Sequence, residues 1–458
     1  MTIQTDAGAI AAQQLRDALG ERIVLPGDAA YDTVRLPWNL AIDQRPFAVA
    51  QPESAEDVVD VVRAAAASGL RVAPQSTGHG AAALADTDLS DVVLVSLSRL
   101  RGVTVHPEAR SAMVLGGSVW NDVVEAAAPH GLTALHGSAG DVGVVGYALS
   151  GGLSFYARTH GLAVNSVRAV QLVTADGSIV RATPRDEPEV FWAVRGGSGA
   201  FGIVVSLELD LLEVADVFAG MLLWDASRAS EVAHAWAAWT TDAPESASTS
   251  LRVMHFPPLP ELPPFLSGRS VVVIDGAILE TDAAAAALLA PLRALRPELD
   301  TFARIPSAAL VQVHMDPPEP SPAFSAGAML ESFPSEAVDA WVAAATTTPV
   351  LFIAEVRHVG GAAARRPEGA GAIGSVDGDY LLAGIAMVPA PELAEAAHAA
   401  AHAVVAAMAA WHAPALALTF IDGGVDRALG FGSARERLLQ LKAAWDPNDL
   451  FAAGQPVG

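Results

Sequence analysis

Apolar and polar positions alternate with helical period from Ile10 to Leu19, predicting a short amphipathic helix, and then lose regularity as far as Asp43 through Pro26, Gly27, Pro37 and Trp38. From there the pattern becomes regular. Phe47 to Ala50 reads as a strand, Ser54 to Ser68 as a helix capped by Ser54 with Glu56 and Asp57 in its first turn, and Leu70 to Pro74 as the next strand, a β-α-β unit. Val92 to Leu97 and Ala112 to Leu115 predict strands and Val119 to His130 a helix. Val167 to Thr174 and Ser178 to Ala182 predict a hairpin across the Asp176-Gly177 turn. A short helix from Glu187 to Val194 precedes a long strand, Ile203 to Leu212.

Beyond that strand the texture changes. Strands over Val217 to Trp224, Ser250 to Phe256, Val271 to Leu279, Gly327 to Glu331, Leu351 to Arg357 and Tyr380 to Met387 alternate with helices over Ser230 to Thr240, Ala283 to Leu295, Ser335 to Ala345 and Pro391 to Trp411. This is the pattern of an α+β layer, one sheet covered by helices on one side. The expected organisation is a first domain over residues 1–212 with its core at about 44–212, a second over 213–414, and a segment 415–458 returning to the first. Leu393 to Phe420 is hydrophobic but interrupted by Glu395, three histidines and Pro414, so it reads as a buried helix followed by a strand, not a bilayer span.

With 51 acidic against 27 basic residues and a formal charge of −24, the chain would repel nucleic acid and anionic lipid, and neither is expected as a partner. The absence of cysteine excludes disulfides and thiolate metal sites, and no metal is expected. The start, Met1 to Asp6, lacks a basic segment followed by an apolar one, so a cytoplasmic location is expected.

Two glycine-rich loops carry the chemistry: Pro74-Gln75-Ser76-Thr77-Gly78-His79-Gly80, and Gly137-Ser138-Ala139-Gly140-Asp141-Val142-Gly143-Val144-Val145-Gly146, each expected where a strand ends. Small residues let backbone N–H groups converge on phosphate oxygens, so a pair of such loops suits a long cofactor with more than one phosphate. A third run, Gly197-x-Gly199-x-x-Gly202, spells a dinucleotide fingerprint. Its context is inverted, because a helix precedes it and a strand follows, leaving no helix N-terminus for a pyrophosphate. Nicotinamide binding is therefore not expected.

The histidine-bearing first loop together with the second resembles the p-cresol methylhydroxylase (PCMH)-type FAD-binding domain of the vanillyl-alcohol oxidase superfamily, and within it the berberine-bridge-like oxidases. That resemblance implies a two-domain α+β fold with an antiparallel substrate sheet covered by helices, and FAD bound covalently through His79. It implies cofactor contacts from Gln75, Ser76, Thr77, Gly78, His79 and Gly80, and from Ser138, Ala139, Gly140, Val142, Gly143 and Gly146. Gly202, Ile203 and Val204 would lie along the adenosine part, and Asn448 would contribute from the tail. Where the family often adds a cysteinyl bond this chain has Ala139, so attachment should be single. Val142 stands at the family's oxygen-gating position. The tail, Phe431 to Leu438 and then Leu441 to Phe451, resembles the family's closing helix with its Asp446-Pro447 stop, a helix ended before proline.

The family's Asn-Tyr is replaced here by Ala434-Arg435, which removes the usual support for a catalytic base. Strand alternation puts Leu351, Ile353, Glu355 and Arg357 on one face, and the family's counterpart of this strand faces the flavin. Glu355 is thus the candidate base with Arg357 holding a substrate oxygen, the alternative being an exposed ion pair; Asp422, beside a strand expected at Leu416 to Ile421, is the next candidate. The implied activity is hydride transfer to flavin from a C–OH or C–N carbon of a small hydrophobic or aromatic molecule, with molecular oxygen as acceptor. A dehydrogenase with another acceptor, a nonredox flavin cyclase and a binding protein stay open.

Overall fold

The structure, a computed structural model, describes every residue except Met1, Asp86, Pro349, 422–424, Gln455 and Gly458. Ala48–Ala50 and Arg71–Gln75 pair in parallel on either side of Val92–Ser96, with Ile23–Val24 antiparallel at the edge. The crossover is the helix Ala55–Ala67, where Ser54 accepts from the Asp57 N–H and Asp57 accepts in return from the Ser54 N–H. Its Val58, Val61, Val62 and Ala65 bury one stripe against Val72 and Val93.

A second, antiparallel sheet runs in the order Val103–His106, Ser111–Leu115, Ile203–Asp210, Val167–Val173, Ile179–Ala182. The first of these was not anticipated, since four alternating residues before Pro107 carry little signal. The hairpin at Asp176-Gly177 forms as expected, with Gly177 at φ +76°.

Six of the seven strands expected beyond residue 212 form, joined by two short ones, Leu299–Asp300 and Ala303–Pro306, in one eight-stranded sheet among the described residues. Its centre runs Asp216–Asp225, Ser270–Ile278, Ala247–His255, Ile353–His358, Tyr380–Met387, Ala323–Leu330, antiparallel throughout. Alternation sends Leu251, Val253, Ile274, Ala354 and Val356 to one face, against Trp236 and Trp341 of the helices Ala229–Asp242 and Ser335–Thr347. The opposite face carries Ala219 and Ala277, which pack on Phe155 and Tyr156 of the N-terminal region. The helices cover one side only, leaving the other for the site. Among the described residues no helix is long and apolar enough to cross a membrane.

Two expectations need correction. The second glycine loop does not follow a strand: only an isolated bridge, Thr133 to Leu212, precedes it, and its far end is wound into the helix Val144–Leu149. No strand forms at Leu416 to Ile421, where a 3-10 turn, Leu418–Phe420, turns the Phe420 carbonyl onto the face of Gly327 instead of along a strand edge. Asp422 itself lies outside the described residues.

The tail closes on the first sheet. The helix Arg435–Trp445 ends at Asp446, whose buried carboxylate accepts from the N–H groups of Leu450 (2.8 Å) and Phe451 (2.9 Å) and pairs with Lys442. The turned chain then bonds to Val72, Val72 N–H to the Leu450 carbonyl and Ala452 N–H to the Val72 carbonyl, fixing the strand that feeds the first glycine loop. Asp446→Ala should strand two buried donors and cost about 3 kcal/mol in urea unfolding. A loss within the ~0.5 kcal/mol typical of surface changes would mean that this clasp holds nothing.

Candidate cofactor and substrate site

Contact between the two glycine loops is the geometric centre of the site. Gly143 lies so close to Ser76 that a Cβ there would stand 2.6 Å from Oγ, and a Cβ on Gly140 would collide with Asn121. Gly78 takes φ +81°, and a Cβ on it would sit 2.6 Å from Pro37. The third glycine run abuts the same place, because a Cβ on Gly199 would be 2.8 Å from Pro74, at the end of the strand that delivers the first loop. As its context implied, this run joins the helix Pro188–Gly197 through a 3-10 turn to the strand Ile203–Asp210 and opens no helix. Gly202 at φ +153° and the buried Ile203 and Val204 serve that strand's pairing with Leu172 and Val173.

Within the first loop His79 is held on three sides. Its ring stacks on Trp38 with centroids 4.4 Å apart, its Nδ1 lies 2.8 Å from Thr77 Oγ1, and its Nε2 faces Asp141 Oδ1 at 3.7 Å. Nε2 and Ser76 Oγ are buried without a hydrogen-bond partner. Orphaned polar atoms on a backbone cradle that no Cβ could enter fit a bound group with polar edges. Gln75 ends the strand Arg71–Gln75, Ala139 and Val142 are half-buried, and Ser138 Oγ donates to Asp316 Oδ2 at 2.7 Å. Gly80, Gly146 and Asn448 are exposed; Gly146 belongs to the helix Val144–Leu149 and Asn448 to the turn after Trp445.

Glu355 and Arg357 share a face as the alternation predicts, but they do not form an exposed pair. Both are buried, with Arg357 Nε donating to Glu355 Oε1 at 2.9 Å. Cross-strand register sets Arg252 opposite Glu355, and Ser250 opposite Asp275 and Arg357, so one sheet face gathers a polar network. Asp275 takes bonds from Ser250 and Arg252 and lies 2.9 Å from His314 Nδ1. His314 Nε2 lies 3.2 Å from an Arg357 nitrogen and 3.7 Å from Glu355 Oε1. The segment carrying His314 also carries Asp316, which reaches Ser138, so the network touches the second glycine loop. Arg357 lies over the rings of Phe155 and Phe420.

Burial opposes every charge in this network, yet the partners prevail. Burial and Arg252 push His314 down, but Asp275, Asp316 and Glu355 outweigh them and raise it to about 9. Burial pushes Glu355 up, and Arg357 and His314 together drive it well below the ordinary carboxylate range; Asp275 is lowered likewise by Arg252 and His314. Three cationic side chains therefore share two buried carboxylates.

Sequence reading missed Trp38, Arg252, Asp275, His314 and Asp316. A signal existed for two of them: Asp275 interrupts the apolar run Val271 to Leu279, and Arg252 sits among Leu251, Val253 and Met254.

Residues 46–183 match the family described as FAD binding domain. The chain is 34% identical over 212 residues to (R)-6-hydroxynicotine oxidase of Paenarthrobacter nicotinovorans, 46% of either length. It is 35% identical over 171 residues to xylooligosaccharide oxidase of Thermothelomyces thermophilus, 37% of this chain and 34% of the relative. It thus spans less than half the length of these relatives. In fold it matches a BBE-like 1 protein of Physcomitrella patens (TM-score 0.84, 20% identity, 98% and 99% of the two chains). It also matches 6-hydroxy-D-nicotine oxidase of Arthrobacter nicotinovorans (TM-score 0.81, 22% identity, 94% and 96%). Residues 46–183 thus carry the likeness to an FAD binding domain, and the chain as a whole shares the fold of these two solved proteins.

The raised His314 has a consequence for stability. Its imidazolium stabilises the fold fully below its ordinary value of 6.5, and that contribution is lost as pH rises through about 9. Unfolding free energy should fall by about 3 kcal/mol across this window, and His314→Gln should flatten the fall. Equal stability at both ends in the wild-type protein would show His314 to be neutral.

Proposed function

We propose that this protein is an FAD-dependent oxidoreductase with its flavin attached to His79, taking hydride from a carbon bearing nitrogen or oxygen in a small apolar molecule. The observation that carries the reading is His79 itself, its ring stacked on Trp38 and its Nδ1 beside the Thr77 hydroxyl where the two glycine loops meet. Bound FAD would be held by Ser76, Thr77, Gly78, Gly140 and Gly143 and would supply the hydride acceptor; dioxygen, passing Val142, would take the electrons.

On the substrate side, Arg357 presents a cation beside Phe155 and Phe420, which suits a flat apolar ligand with one polarised atom. Glu355 is better placed to hold Arg357 and His314 than to take a proton, because a carboxylate stabilised by two cations is a weak base. Ala434 is half-buried and Arg435 exposed, so neither replaces the family's tyrosine. This favours a C–N substrate over a C–OH one: an amine's lone pair drives hydride departure directly, whereas an alcohol must lose a proton to a base. The name of the hydroxynicotine relative is in keeping with that preference and the xylooligosaccharide relative with the alternative.

The protein should purify yellow and keep its colour in the acid-precipitated pellet, and His79→Ala should release the colour to the supernatant. Free colour from the wild-type protein would refute attachment. In anaerobic mixing, secondary or tertiary cyclic amines should bleach the flavin faster than the corresponding alcohols, and NADH and NADPH should not bleach it, since no helix opens at Gly202. Faster bleaching by alcohols would restore the need for a base and reverse the preference.

A further inference from the structure

Asp141 is out of place for a residue whose loop has only to bind phosphates. It is the one carboxylate in the two glycine loops, and beside a diphosphate its charge is unfavourable unless another partner offsets it. That partner is present. Trp38 Nε1 donates to Asp141 Oδ2 at 2.6 Å, while the same indole ring stacks on His79, so one side chain sets the imidazole and the carboxylate relative to each other. Trp38 is itself fixed, its backbone N–H bonded to the Thr77 carbonyl at 2.9 Å. Asp141 Oδ1 faces His79 Nε2 at 3.7 Å. Burial raises the Asp141 carboxyl, but His79 and Trp38 outweigh it and keep it ionised.

We propose that Asp141 is the positioning residue for covalent attachment of the flavin to His79, an inference that rests on the attachment proposed above. A carboxylate opposite Nε2 favours the tautomer with its proton on Nε2, which leaves Nδ1 as the lone-pair nitrogen accepting from the Thr77 hydroxyl. When the Thr77 hydroxyl turns away, Nδ1 is the nucleophile. Bond formation joins Nδ1 to the carbon of the flavin 8-methyl group and breaks one C–H bond there. The methyl proton and the Nε2 proton leave, and the electron pair of the broken C–H bond passes into the flavin ring, which takes up two protons and is reduced. Dioxygen then reoxidises the ring and becomes hydrogen peroxide. Asp141 acts where the imidazole would otherwise carry uncompensated positive charge, before its Nε2 proton is gone.

The test uses full-length protein produced without flavin and then given FAD in air. Covalent flavin is read as fluorescence of the denatured chain over time, and noncovalent binding is read separately by flavin fluorescence quenching. Asp141→Asn keeps the shape and a group that accepts from Trp38; it should bind FAD but attach it up to about 10⁴ times more slowly, the loss seen when a carboxylate that sets a histidine's tautomer is made neutral. Asp141→Glu should recover part of the rate, which a merely structural role would not explain. Wild-type protein that never attaches flavin overturns the attachment and this role together. Wild-type and Asp141→Asn proteins attaching at equal rates overturn this role alone, as does a linkage mapped to Nε2 in the isolated histidyl flavin.

Discussion

Everything in the cofactor half of this molecule depends on two backbone loops approaching closer than side chains allow. Gly143 against Ser76, Gly140 against Asn121, Gly78 against Pro37 and Gly199 against Pro74 are contacts in which one added carbon would have no room. Such packing needs rigid supports, because loops alone would spread apart. The first loop has a parallel strand behind it and the tail clasped to that strand through Leu450 and Ala452. The second is anchored at its far end by the helix Val144–Leu149 and at its near end by Ser138 on Asp316. Chain ends far apart in sequence thus converge to hold one crevice open to backbone donors.

The large sheet supplies the opposite wall by a different device. A strand buried on both faces would ordinarily be apolar throughout, yet here the inner face holds Ser250, Arg252, Asp275, Glu355 and Arg357 in cross-strand register. Each charge in that cluster would be costly alone, and the cluster persists because every member has partners of opposite sign. The consequence is a fixed cation, Arg357, beside the aromatic rings of Phe155 and Phe420. A preorganised cation of this kind stabilises charge developing nearby without having to reorganise.

Most of the fold was legible because its elements announce themselves locally. The capping serine at Ser54, the Asp176-Gly177 turn and the strand over Tyr380 to Met387 each carry their own signal, and the structure places them where the pattern does. The failures differ in kind: Val103–His106 is too short to show a period, and Leu416 to Ile421 turns across the edge strand Ala323–Leu330 at Gly327 instead of pairing with it. At the site, residue type within a motif exposed His79 and the glycines. It could not expose Trp38 or His314, which come from irregular segments and acquire meaning only through long-range contacts with Asp141 and with Asp275. Burial was equally hidden, so Glu355 and Arg357 read as plausibly a surface pair as a buried one.

That difference in burial decides the chemistry. In water an exposed glutamate would keep its ordinary basicity and could collect a proton; enclosed between Arg357 and His314, the same carboxylate is held ionised, with its Oε1 facing both cations. A site that spends its buried carboxylates on cation pairs is built to orient and polarise. Under the function proposed above, that arrangement would suit a substrate that brings its own electron push, in keeping with Ala434-Arg435 in the tail.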